Sequence, residues 1–203
     1  MHLNILSKEQ FQQLELLAAF KREYILVGGT AIALHIGHRK SIDFDLFKST
    51  SINAARIKST LASKNVKYQI LFQNDEGFHL MIKGVKWTFF CYPFPVNETL
   101  ISEKQFKMPD LLTLAAMKAY ALGRRSKWKD YVDLLFILES HFNIDQISKR
   151  AAELFKDGFS EKMLRVQMVY FKDIDYSETV EWVVKPRSLK EIQNGLIHYA
   201  SQL

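Results

Sequence analysis

"ILVGGTAIALHIGHRKSIDFDLF", Ile25 to Phe47, is the stretch on which the reading of this chain turns. An apolar run from Tyr24 to Val27 enters two glycines, the mark of a short buried strand that ends in a turn. "TAIALHIG" then reads as a short helix that Gly37 stops. "IDFDLF" alternates, with Ile42, Phe44 and Leu46 on one face and Asp43 and Asp45 on the other.

The two ends of this stretch complement one another chemically. Gly28 and Gly29 permit close backbone approach, and a helix N-terminus at Thr30 presents free N–H groups that favour a phosphate. Two carboxylates on one strand face can hold divalent metal ions against a triphosphate. Such ions stabilise both the attacking and the leaving oxygen of an in-line displacement. A Gly-Gly turn alone, or two aspartates on an edge strand alone, is ordinary structure. Together at this spacing they point to phosphoryl or nucleotidyl transfer.

Working outward, Ser7 and Gln10 form a capping-box pattern before "FQQLELLAAFKR", whose Phe11, Leu14, Leu17 and Ala18 share a helical face. A helix is expected over "INAARIKSTLASK", capped by Thr50 or Ser51. Three strands follow, "VKYQILF", "FHLMI" and "VKWTFFCY", separated by "QNDEG" and "KG" turns and ended by Pro93 and Pro95. Trp87, Phe89 and Cys91 alternate as core residues. Pro109 suits the first turn of "DLLTLAAMKAYALG" and Gly123 its end. "KWKDYVDLLFILESHF" is a second helix, and Asn143/Gln146, Ser160 and Ser188/Glu191 start further ones. The fold class is α+β: a mixed α/β N-terminal half, residues 1–105, and a helical C-terminal half, residues 106–203, joined near residues 102–109.

The 203 residues are 48% hydrophobic, enough for a substantial core. No apolar run approaches the roughly 18–20 residues that cross a bilayer, and the amphipathic N-terminus lacks signal-peptide organisation. Cys91 is the only cysteine, which excludes a disulfide framework and suits a reducing cytoplasm. His35 and His38 have no companions at zinc-ligand spacing. A net charge of +6 and a pI near 9.3 are compatible with a phosphate-rich partner such as RNA.

"VGG" followed by "DFDL" resembles the hG[GS]…DhDh signature of polymerase-β-like nucleotidyltransferases. With the downstream "LAAMKAYALGRRSKWKDYVDLLFIL", the chain resembles the AbiEii/AbiGii toxin family and its MenT-type relatives over about residues 25–140. The resemblance implies a nucleotidyltransferase-fold mixed sheet with flanking helices, completed by the helical half. It implies Mg²⁺ (or Mn²⁺) on Asp43 and Asp45, with an NTP as co-substrate. Gly28, Gly29 and Thr30 would lie against its phosphates and Lys118 would contact the triphosphate. Asp130, in the K-D-x-x-D pattern, would act as base or metal-assisting group; Lys129 and Asp133 are weaker candidates. Carboxylates in a first helical turn are also favoured by the helix dipole. Many such enzymes carry a third acid on a later strand, but "VKWTFFCY" offers Thr88 in that slot, and Asp130 is the expected substitute. Ser41 is the expected regulatory site, since a phosphate there would add negative charge beside both aspartates. Arg39, Lys40, Arg124, Arg125 and Lys129 are the RNA-contacting candidates.

The implied activity is transfer of NMP to an acceptor hydroxyl, at the 3′ end of tRNA, by a cytoplasmic toxin with a cognate AbiEi-like antitoxin. The alternatives are a small-molecule or protein acceptor, or a degenerate nucleotide- or RNA-binding module without activity.

Overall fold

The computed structural model describes residues 1–96 and 100–202. Leu203, the last residue of the expected helical half, lies outside them.

Five strands form one mixed sheet: β1 (Ile25–Val27), β2 (Asp43–Lys48), β3 (Gln69–Gln73), β4 (Gly77–Ile82) and β5 (Val85–Cys91), in the order β1-β2-β5-β4-β3. Only β2 and β5 are parallel; the other neighbours run antiparallel. A parallel pair needs a long crossover, and here α4 (Ala54–Ser63) and the β3–β4 hairpin supply it. Lys83 and Gly84, both at positive φ, close the tight β4–β5 turn. On one sheet face Phe44, Leu46, Trp87 and Phe89 are buried to 2% exposure or less. The opposite face carries Asp43, Asp45, Lys86 and Thr88, each still partly open.

The N-terminal helix begins at Ser7 with a complete capping box, as its sequence predicts, but breaks at Gln13 into α1 (Lys8–Gln12) and α2 (Leu14–Ala18). The break turns the polar Gln13 inward. Its amide donates to the Ile82 carbonyl at 2.9 Å and its oxygen accepts from the Trp87 indole at 2.8 Å. Phe11, expected on the buried face, is 57% exposed in consequence.

Three further expectations are corrected. Ile42 lies outside β2 and is exposed. Helix α4 is capped by Asn53 rather than Thr50 or Ser51, because the Asn53 side chain accepts from the Arg56 N–H. Pro109 closes a small hairpin, β6 (Leu100–Ser102) with β7 (Lys107–Pro109), and Asp110 caps the following α5 (Leu111–Leu122).

Helices α3 (Gly28–Ile36) and α5 pack together, and α5 also packs on α6 (Trp128–Ser140) and α7 (Ile144–Phe155). The chain ends in α8 (Glu161–Met168) and α9 (Leu189–Ser201). Asn143, Ser160 and Ser188 cap α7, α8 and α9 as their patterns predict. One continuous apolar core runs from the sheet into α5, α6 and α7. Among the described residues, no helix is long and apolar enough to cross a membrane.

Candidate active site

A cleft of about 490 Å³ separates the polar face of the sheet from α5. Gly28, Asp45 and Thr88 lie on its floor, and Lys118, Arg124 and Arg125 come from α5 and the turn after it. Sheet register explains the grouping. Asp45 lies opposite Thr88 on β5, and Thr88 lies opposite His79 on β4. The slot where many such enzymes carry a third acid therefore holds Thr88, as the sequence reads, directly beside Asp45.

Each glycine of the turn is fixed by a different neighbour. Gly28 begins α3 at φ 71°, a left-handed conformation that disfavours side chains, and a Cβ there would overlap the Asp45 carboxylate. At Gly29 a Cβ would lie 2.7 Å from Arg39 Nη2 and 3.1 Å from Ser41 Oγ. Gly28 faces the cleft, whereas Gly29 makes room for the buried Arg39. Thr30, expected at the phosphates, is 1% exposed, and its hydroxyl donates to the Asp43 carbonyl. That bond ties the glycine turn to the aspartate strand and removes Thr30 from ligand contact.

Asp43 and Asp45 make no ion pair among the described residues. Burial raises the Asp43 pKa above the usual carboxylate range, and the neighbouring Asp45 charge adds to the effect. Burial also raises that of Asp45, against the opposing pull of Arg125, Lys118 and Lys86. Two neighbouring carboxylates on one strand face, without an ion pair among the described residues, fit a hard divalent cation. The described residues hold no cluster of three or more acidic, His or Cys side chains suited to a metal.

Asp130 departs from its expected part. Asp130 accepts from Lys118 Nζ at 2.6 Å and from Arg125 Nε at 2.7 Å. Burial alone would raise its pKa, but Lys118 and Arg125 outweigh it and hold the carboxyl below its ordinary value. A carboxylate shared by two cations is a weak proton acceptor. It is a clamp rather than a base.

Asp133, a weaker candidate by sequence, organises the interior. Fully buried, it receives Arg39 Nε at 2.6 Å and Nη2 at 2.8 Å, His38 Nε2 at 2.8 Å, and Lys118 Nζ at 2.9 Å. Despite burial, Arg39 and Lys118 hold its pKa well below the carboxylate range. Burial keeps His38 below its usual pKa, and a neutral ring agrees with a buried Nδ1 that has no partner among the described residues. The charges thus alternate from Arg39 through Asp133, Lys118 and Asp130 to Arg125, with one cation in excess at the cleft. Burial lowers the Lys118 pKa but Asp130 and Asp133 raise it further, so the ammonium stays charged.

The RNA-contacting candidates separate accordingly. Arg39 is 2% exposed and spent on Asp133, so it does not meet a ligand. Lys40 pairs with Glu181 at 3.2 Å and Lys129 with Glu178 at 3.1 Å, both away from the cleft lining. Arg124 and Arg125 do reach the cleft. Ser41 is half-buried beside Gly29, just before β2. The sequence reading missed His79, Lys86 and Phe90. Period-two counting from the buried Trp87 and Phe89 places Lys86, Thr88 and Phe90 on the opposite face, a signal that was available.

The fold defines a class. MenT4, a nucleotidyltransferase toxin from Mycobacterium tuberculosis H37Rv, superposes with a TM-score of 0.64 at 12% identity, covering 95% of this chain and 81% of that one. A Helicobacter pylori protein provisionally assigned as a nucleotidyltransferase gives 0.57 at 20% identity, covering 98% and 92%. The chain shares the fold of these structures. More particularly, residues 94–190 match the family model described as nucleotidyl transferase AbiEii toxin, type IV TA system. The resemblance to AbiEii-type toxins read from the sequence is borne out, and the family match and shared fold together support a nucleotidyltransferase. An uncharacterised Aquifex aeolicus (strain VF5) protein is 29% identical over 178 residues, covering 83% of this chain and 84% of its own.

Proposed function

We propose that this protein is a cytoplasmic, metal-dependent nucleotidyltransferase that moves NMP from an NTP to an acceptor hydroxyl on RNA, at the 3′ end of tRNA. The observation that carries the reading is Asp45 on the cleft floor, without an ion pair among the described residues and with Asp43 two residues before it on the same strand face, opposite a helix edge with surplus positive charge. Asp43 and Asp45 would hold Mg²⁺, which when bound supplies neutralisation of the triphosphate and of the reacting oxygens. Gly28 brings the α3 backbone against the nucleotide. Lys118 and Arg125 face the β- and γ-phosphates, and Asp130 positions both. The acceptor oxygen bonds to the α-phosphorus as the bond to the β-phosphate oxygen breaks. Pyrophosphate leaves toward the cationic wall, and the hydroxyl proton is lost to water at the open cleft.

Residues 1–105 form the nucleotidyltransferase-fold unit in this reading, and the helical remainder completes the cleft. Arg124 supplies the acceptor contact nearest the chemistry, beside Arg125 on the phosphates. Phosphorylation of Ser41 would load negative charge beside the aspartate strand and oppose metal binding.

The test is incubation with each of four α-labelled NTPs, Mg²⁺ or Mn²⁺, and separated RNA, protein and metabolite fractions, with Asp45→Asn as control. Label is expected in RNA with wild type alone. Label in metabolites or protein redirects the acceptor. Label nowhere, with folded protein, refutes the activity.

A further inference from the structure

The far end of the cleft does not suit phosphates. Two residues beyond Asp45, roughly 7 Å along β2, the sheet face that elsewhere carries Asp, Lys and Thr turns aromatic. Phe47 lies opposite Phe90 on β5, and Tyr92 follows just after the strand. Their rings lie 5.4 Å (Phe47–Phe90) and 5.2 Å (Phe47–Tyr92) apart, tilted by 47° and 37°. All three remain partly open and line the cleft, while Phe47 and Tyr92 also pack against the edge of the core. Across from them α5 presents Met117, Tyr120 and Ala121. Triphosphate chemistry does not explain an apolar slot that stays partly open to the cleft.

The slot is also held in shape. Tyr92 meets Phe94 edge-on at 4.9 Å, and Phe94 meets Phe155 at 4.9 Å. Phe155 stacks on Tyr120 at 4.0 Å and 22°, and the Arg124 guanidinium covers the Tyr120 ring at 3.5 Å. A chain of aromatic contacts thus ties floor to roof.

Resting on the nucleotidyltransferase reading, we propose that this aromatic end is a stacking slot for a nucleobase. The ligand it fits is a planar ring joined to a polyanion, with the ring between Phe47/Phe90 and Met117/Ala121 and the phosphates at Asp45, Lys118 and Arg125. Stacking recognises the π-face common to all bases and selects little among them. A base there belongs either to the incoming NTP or to the acceptor terminus. Both sources share this chemistry.

The experiment measures binding by titration calorimetry of wild type, Phe90→Ala and Phe90→Leu, each first checked by thermal unfolding. The leucine variant keeps apolar volume but lacks the π-face, so it separates stacking from packing. The probes are an α,β-methylene NTP with Mg²⁺, a short single-stranded RNA, and inorganic tripolyphosphate with Mg²⁺. Both variants are expected to lose roughly 5- to 150-fold in affinity for one of the base-bearing probes, with tripolyphosphate unchanged. Loss confined to the NTP analogue assigns the slot to the incoming nucleotide, and loss confined to RNA assigns it to the acceptor. Equal affinities of wild type and variants for both probes overturn the proposal, as does a wild type that binds neither. A wild type that transfers no label while its slot variants still lose nucleotide affinity refutes the activity and leaves the slot standing.

Discussion

Replacing Asp133 by alanine removes the one carboxylate that Arg39, His38 and Lys118 all share. Lys118 keeps Asp130 as a counter-charge, and His38 is neutral, but Arg39 is left with only the Lys40 carbonyl at 2.9 Å. Arg39 is 2% exposed, so water cannot replace the lost carboxylate. Breaking a buried pair by removing one partner costs about 3–5 kcal/mol. For a chain of 203 residues, each kcal/mol lowers the melting temperature by roughly 2–4 °C, giving a drop of about 6–20 °C. The assay is calorimetric or circular-dichroism melting of wild type and Asp133→Ala at neutral pH. A drop below about 2 °C would show that the interior charges are solvated or rearranged, and the network argument would fail.

Two further arms sharpen the same prediction. The double variant Arg39→Met/Asp133→Leu is expected to melt above Asp133→Leu alone, because an apolar pair of similar volume carries no stranded charge. The pH dependence has a definite sign. The folded-state pKa of Asp133 is depressed, so its stabilisation is complete above the unfolded value, about 3.9. It is then lost as pH falls from there through the folded value. The gap between wild type and Asp133→Ala should therefore be full at pH 6 and shrink below pH ~4.

The remaining predictions concern the cleft and its supports. Asp45→Asn is expected to abolish label transfer while melting no lower than wild type. The raised folded-state pKa means that the carboxylate costs stability as pH rises above its unfolded value, a cost the amide lacks; a lower melting temperature would contradict this. Gly28→Ala should destabilise by more than about 1 kcal/mol, since its positive φ and the Asp45 carboxylate both oppose a methyl group. A neutral effect in urea titration would count against the turn geometry. Gln13→Leu leaves the buried Trp87 indole without its acceptor and should cost about 1–3 kcal/mol by the same titration. If RNA is the acceptor, its affinity should fall steeply with added salt, with a shallower slope in Arg124→Gln, because each phosphate contact releases counterions. A salt-independent affinity would redirect the search to small acceptors.

What the sequence shows and what it hides follow the range of the interactions. The capping residues Ser7, Asn143, Ser160 and Ser188 were legible because each acts on an N–H within three residues. The alternation of Phe44 and Leu46 against Asp43 and Asp45 was legible because the strand period is local. Arg39 and Asp133 are 94 positions apart, and nothing local distinguishes a surface arginine from one folded under its own glycine turn. Asp130 was misread for a related reason. Its place in the first turn of α6 is visible, but its ion pairs with Lys118 and Arg125 depend on how α5 lies against α6. Among the described residues the paired aspartates make no ion pair, and the later carboxylates are held in ion pairs by neighbouring cations. In a catalytic cleft that difference separates the groups free to bind a cation from those that hold the cationic wall in place. It would have been invisible had residue type alone been counted, since the four side chains are all aspartates.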